Sequence, residues 1–203
     1  MMSTSLRHAA IAAMLAVAAA CSISLPGSGP APDLFVLTPK STFDQNLKPV
    51  DWQLVIEEPV ASNGLNTTGI AVAKSATELD YLPGARWAER APAMVQTLMV
   101  ESFEKSDRIV SVGRQSIGLR SDYLLKTELR EFQVEYPGGK PAVRVRVNAK
   151  MVSQQKRSII ASQSFEYVTP SASNSAKDLV LAFDEGLGKA MRRIVEWALV
   201  NGK

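Results

Sequence analysis

The sequence predicts an α+β domain in which a mostly antiparallel sheet carries two main helices packed on one face. Three observations lead there. Residues 122–169 hold three long alternating runs separated by turn-forming residues. Two other segments, starting near Ala91 and Ala176, repeat apolar residues every three or four positions. The remainder consists of short β-branched or apolar runs broken by Gly, Pro and Asn.

In chain order, "DLFVLTP" (Asp33–Pro39) reads as a first strand closed by its proline, followed by a polar, irregular stretch to Val50. "WQLVIEE" (Trp52–Glu58) is apolar enough for a central strand. "GIAVAKS" and "ELDYL" are two short strands around a turn at Ser75–Thr77. "PGARWAERAP" leads into a helix near Ala91, where Pro92 is tolerated in the first turn. Val95, Leu98, Met99 and Phe103 give that helix one apolar face, and it fades at "EKSDR". After a brief strand "IVSVG", Asp122–Tyr136, Ala142–Gln154 and Ser158–Thr169 form an antiparallel meander around turns at "PGGKP" and Gln155–Arg157. The last helix spans Ala176–Val200, with Leu179, Phe183, Leu187, Met191, Ile194 and Ala198 as its apolar stripe.

The meander contains two features that bear on function. In Ala142–Gln154, Val143, Val145, Val147, Ala149 and Met151 share one face, and Arg144, Arg146, Asn148 and Lys150 the other. The basic row Arg144, Arg146, Lys150 is therefore either a surface for a partner or for acidic headgroups, or the wet face of a sheet paired with neighbouring acids. In Asp122–Tyr136 the apolar parity changes from Tyr123, Leu125 and Leu129 to Phe132, Val134 and Tyr136. A β-bulge near Arg130–Glu131 restores a single face. Without it, Phe132, Val134 and Tyr136 form an outward apolar strip, a candidate partner surface.

The N-terminus predicts export. Met1–His8 is polar with Arg7 as its strong cation, and Ala9–Ala20 is uncharged and apolar. Twelve residues are too few for a spanning helix, which needs about 20, and they match a signal-peptide h-region. Ala18-Ala19-Ala20-Cys21 resembles a bacterial lipobox, in which the cysteine thiol is alkylated by diacylglycerol and, after cleavage, its amino group is acylated, for instance with palmitate. Ala18 stands where that pattern prefers Leu. The expected organisation is a signal peptide over residues 1–20, a flexible tether over 21–32 after lipidated Cys21, and one domain over 33–203. Several acyl chains make a durable anchor where one is marginal. With Ser22 after the cysteine, resemblance to enterobacterial lipoproteins implies outer-membrane sorting.

Composition narrows the chemistry. The only histidine, His8, lies in the signal segment, and Cys21 is the only cysteine. A mature chain without histidine or free thiol excludes Ser-His-Asp triads, thiolate catalysis, and His or Cys metal sites. Removing residues 1–20 deletes Arg7 and no acid, so the net charge falls from +3 to +2, with no basic cluster of the kind nucleic acid requires. The acidic neighbours Glu57–Glu58, Glu128 with Glu131, Glu101 with Glu104, and Asp184–Glu185 show no spacing that makes an acid/base pair. Neither "GLG" at 186–188 nor "PGGK" at 137–140 follows a nucleotide-binding pattern. No enzyme activity, cofactor or metal is expected.

"LDYLPGARWAERAPAMVQTLMVESFEKSDRIVSVGR" (Leu79–Arg114) resembles the ABC-type transport auxiliary lipoprotein family, which includes the paraquat-inducible protein C lipoproteins. The signature residues are Tyr81, Leu82, Pro83, Arg86 and Trp87, and the likeness extends through "DYLLKTELREFQVEY", "FEYVTP" and "VEWALV". The resemblance implies a periplasmic, outer-membrane-anchored, non-enzymatic lipoprotein that docks an MCE-domain protein and its ABC transporter during lipid transport between membranes. Homo-oligomerisation stays open. Pro83 and Gly84 are expected to shape a tight turn, Arg86 to bond backbone carbonyls, and Trp87 to pack under the helix start or contact a partner. A lipoprotein of another envelope machine, or a module with its own lipid cavity, are the competing expectations.

Overall fold

The computed structural model describes residues 30–114 and 120–202; the signal segment, Cys21 and nearly all of the tether lie outside them. Eleven principal elements follow in the order β1 (Asp33–Phe35), β2 (Val50–Ile56), β3 (Val60–Ala61), β4 (Gly69–Ser75), β5 (Glu78–Trp87), α1 (Ala91–Glu104), β6 (Ile109–Arg114), β7 (Tyr123–Glu135), β8 (Ala142–Ser153), β9 (Ser158–Pro170) and α2 (Ala176–Asn201). The α+β class, with two helices on a mixed sheet rich in antiparallel pairing, is as the sequence predicts.

Strand β7 organises the sheet. One of its edges runs antiparallel to β8 over nearly its whole length, and β8 continues to β9. Its other edge is shared end to end by β2, β3 and β4, all parallel to it. β2 extends the sheet to β6, whereas β4 extends it through antiparallel β5 to β1. These parallel junctions are not visible in the sequence, because alternation defines a strand's faces but not its partner.

The bulge is present. Leu129 faces Val147 and Glu131 faces Arg146, so Arg130 is the extra residue. Tyr123, Leu125, Thr127 and Leu129 then share the helix-covered face with Phe132 and Val134. The single face expected with a bulge is therefore formed, and the outward apolar strip of Phe132, Val134 and Tyr136, the alternative without one, is corrected. Phe132 and Val134 are 1% and 0% exposed, and only Tyr136 reaches solvent.

All six residues of the predicted α2 stripe are fully buried, as are the β8 residues Val143, Val145, Val147, Ala149 and Met151 beneath them. Ser175 caps α2, its Oγ accepting the Asp178 N–H at 3.1 Å. A Cβ on Gly186 would lie 3.1 Å from Thr169 Oγ1 and 3.4 Å from Val145 Cγ2, so glycine permits the close helix–sheet approach. On α1, Val95, Leu98, Met99 and Phe103 are buried and Pro92 occupies the first turn, as its pattern predicts. Trp87 of β5, Phe132 of β7 and Phe183 of α2 meet at the centre. Their ring centroids are 4.7–5.5 Å apart, in tilted or edge-to-face geometries favoured by aromatic quadrupoles.

Two further boundaries differ from the sequence reading. β1 stops at Phe35, not at Pro39, because Thr38 turns toward α2. Its N–H donates to Asp184 Oδ1 at 2.7 Å and its hydroxyl to Oδ2 at 2.9 Å. β5 does not end at Leu82 but continues through "PGARW" to Trp87, crossing an irregularity at Gly84, whose φ is +69°. Glycine occupies that left-handed conformation without the Cβ clash other residues suffer.

Because Phe183 touches both other aromatic rings and is fully buried, Phe183→Ala is expected to cost about 3–5 kcal/mol. Thermal unfolding of the purified variant measures this; an unchanged midpoint would show that α2 does not pack on the sheet as described.

Candidate docking surfaces

The residues of the signature divide between the two faces of β5. Trp87 points inward to the aromatic cluster, and its backbone N–H donates to the Thr68 carbonyl at 2.8 Å. Leu82 is partly buried against the core. Tyr81 lies on the outer face across Gly69, where a Cβ would approach its ring closer than 3.0 Å. Its hydroxyl donates to the Gly64 carbonyl at 3.1 Å. The ring therefore clamps the loop between β3 and β4 onto β5. Arg86 is paired in register with Gly69 on one side and Leu34 on the other. It is exposed, and among the described residues its guanidinium makes no hydrogen bond or ion pair, so the expected carbonyl contacts are absent. Sequence reasoning missed Arg90, which binds Glu58 at 2.9 Å and also Asn66, and so holds the start of α1 to the loops after β2 and β3.

The basic row meets acids throughout. Arg144 bonds Glu135 at 2.7 Å and also Glu166. Arg146 reaches Glu131 at 2.6 Å, and Lys150 reaches Glu128 at 3.0 Å. Lys126 joins Glu57 at 3.1 Å, and Arg130 also contacts Glu128. Five cations thus face five glutamates on the outer side of the sheet. The row is the paired wet face, not a free basic patch. The hydrogen bond from Lys150, then that from Arg130, holds the Glu128 carboxyl below its ordinary value of 4.5. Burial pushes Glu135 up, but hydrogen bonds from Arg144 and Gln133 outweigh it and leave it lowered. The bond to Glu135 in turn raises the already high Arg144 value.

The carboxylates show no acid/base arrangement. Glu57, Glu58, Glu128 and Glu131 each sit against a cation. Asp184 does not stand with Glu185 as plain solvated surface: it anchors Thr38, while Glu185 pairs with Lys189 at 2.6 Å. No cluster of three metal-ligating side chains occurs among the described residues. An open cleft of about 280 Å³ between β9 and the end of α2 is lined by Leu47, Phe165, Trp197 and Val200, with Glu196 and Arg193 at its polar side.

A family model described as "ABC-type transport auxiliary lipoprotein component" matches residues 35–195. The chain belongs to that family. A protein of Xanthomonas campestris, XCC0632, shares 30% identity with it; the alignment covers 84% of this chain and 96% of the other, with a TM-score of 0.79. A Chlamydia trachomatis hypothetical protein, CT253, shares the fold at 12% identity and a TM-score of 0.53, over 75% of this chain and 98% of that one. An uncharacterised Bradyrhizobium diazoefficiens protein, bll6063, is 27% identical over 177 residues, 79% of this chain. The chain spans only 45% of that relative's length.

Two predictions follow from this geometry. Arg144→Glu would set a third carboxylate between Glu135 and Glu166, and is expected to destabilise the domain by about 1–2 kcal/mol, a value reduced by solvent screening. Chemical denaturation measures it, and a stability equal to wild type would show that the pairs are not formed. Glu128 and Glu135 have folded values lowered from 4.5. Their contribution is complete above that pH and is lost as pH falls below it through their folded values. The melting midpoint should therefore drop more steeply below about pH 4.5 in wild type than in Glu128→Gln.

Proposed function

We propose that the chain is a lipoprotein held by acyl chains on Cys21 at the periplasmic face of the outer membrane, where it docks the MCE-domain protein of an ABC lipid-transport system. The observation that carries this reading is the family match, which spans all but the edges of the domain. The lipobox-like sequence before Cys21 supplies the anchor, and the proline- and glycine-containing tether lets the domain stand away from it. Its role is to position a partner, and the partner supplies the energy and the lipid path. The ion pairs around Glu57, Glu58, Glu128 and Glu131 support a binding role, since these carboxylates are engaged in structural contacts.

The test is affinity purification of the full-length lipidated protein from membranes, with the bound proteins identified. An MCE-domain protein and a permease are expected. Subunits of a lipopolysaccharide-assembly or secretion machine in their place would refute the reading. Cys21→Ser is expected to leave the thermal midpoint unchanged while releasing the protein from the membrane fraction. Single Gln substitutions at Glu57, Glu58, Glu128 or Glu131 should leave transport intact in folded, anchored protein. Loss of transport in one of them, with partner binding preserved, would point to catalysis.

A further inference from the structure

The outer face of the sheet changes character at its β1 edge. Over β7, β8 and β9 it is the neutral ladder of five cations and five glutamates described above. At β1 and β5, beyond the Lys74 pairs with Glu78 and Asp80, it shows exposed apolar residues and Arg86, which makes no ion pair among the described residues. Register sets Leu34 beside Arg86, and Arg86 beside Gly69, over which Tyr81 lies. Leu79 follows Tyr81's face by strand alternation, and Val36 comes directly after β1. Leu34 and Val36 are 67% and 69% exposed, and Leu79 and Tyr81 are 42% and 43% exposed. Scattered exposed apolar residues need no explanation, but these four follow one another along the β1–β5 edge, with Leu34 beside Arg86 and Leu79 further along at the level of Ala73, and make an apolar stripe.

The same edge is where the chain arrives from Cys21. Ser22–Pro32, eleven residues, lie between the cysteine and Asp33 of β1. Fully extended they reach no further than about 40 Å. On the reading that Cys21 carries the acyl anchor, the patch is confined to a thin layer above the bilayer. There its effective concentration against the lipid surface is of order millimolar, enough to make weak contacts count.

We propose that this patch rests on the phospholipid surface that holds the anchor, with Leu34, Val36, Leu79 and Tyr81 among the headgroups and Arg86 on a lipid phosphate. Apolar side chains beside a tyrosine and an arginine fit the membrane interface, where an aromatic ring spans the apolar and wet layers and a guanidinium meets phosphate bidentately. Arg86 is available because it has no acid partner among the described residues, unlike Arg144 and Arg146, whose charge is already matched. Seated this way, the domain directs its helix-covered face away from the lipid, toward partners in the periplasm.

Cys21 is the only cysteine, so in the lipidated protein one introduced cysteine is the only free thiol. Leu34→Cys, and as a control Ile159→Cys on the edge strand β9, are each labelled with an environment-sensitive fluorophore in the full-length lipidated chain. The protein is reconstituted in phosphatidylethanolamine/phosphatidylglycerol vesicles containing headgroup-nitroxide lipid. Quenching at position 34 is expected to exceed that at 159 by at least about threefold. Arg86→Glu, and separately Val36→Asp, should remove that difference while vesicle flotation and the thermal midpoint stay unchanged. Equal quenching at the two positions on floating protein overturns this proposal alone, as does a difference that survives both substitutions. Shielding at position 34 that grows with the protein-to-lipid ratio assigns the patch to a second copy, and also overturns it. A wild-type chain that fails to float overturns the anchoring reading and this proposal with it.

Discussion

The extra residue at Arg130 is the constraint on which the core depends. β7 is thirteen residues long and serves both halves of the sheet. A strand of that length without a bulge would send Phe132 and Val134 to the solvent side and break the apolar face beneath α2. With the shift between Leu129 and Glu131, Phe132 reaches Trp87 and Phe183. The same shift turns Glu131 and Glu135 outward, where Arg146 and Arg144 meet them. One irregularity thus sets both the aromatic centre and the charge ladder on the opposite face.

The ladder illustrates how pairing removes a surface from consideration. Read along β8 alone, Arg144, Arg146 and Lys150 form a basic row. Their acids come from other strands, Glu128, Glu131 and Glu135 from β7 and Glu166 from β9, and alternation within one strand cannot reveal them. Each pair is partly exposed and worth little alone, yet together they leave the face neutral. Arg86 is the converse case. It is a single arginine in a motif, and among the described residues it makes no ion pair, its neighbours in register being Leu34 and Gly69.

Much of the domain was legible in the sequence because its longest elements are strongly periodic. The α2 stripe, the β8 alternation and the parity break at Arg130 each lead to the observed burial. What escaped notice depends on contacts distant in sequence. The division of one β7 edge among β2, β3 and β4 involves ladders of only two or three residues, too short to leave a pattern. Pro83 and Gly84 read as a turn that ends β5 at Leu82, whereas an irregularity absorbs them within the strand. The motif alone points Arg86 at backbone carbonyls and does not decide between core and partner for Trp87. Only the register of β5 shows that the tryptophan faces the core and the arginine the solvent.

The segment between β1 and β2 explains how so short a first strand can hold. β1 contributes a three-residue ladder to β5, too little to resist fraying by itself. The residues beyond it are tied at three further points. Thr38 binds Asp184 of α2, the Lys40 N–H donates to Ser102 Oγ of α1 at 2.9 Å, and the Asp44 N–H donates to Glu196 of α2 at 3.2 Å. Leu37, directly before the first tie, is buried. A pull arriving at Asp33 that peels β1 from β5 therefore stops at Thr38 unless it also breaks the ties to both helices. The part of the domain that directly follows the tether is in this way fastened to both layers of the fold, which keeps Leu34 and Arg86 in a defined place beside each other.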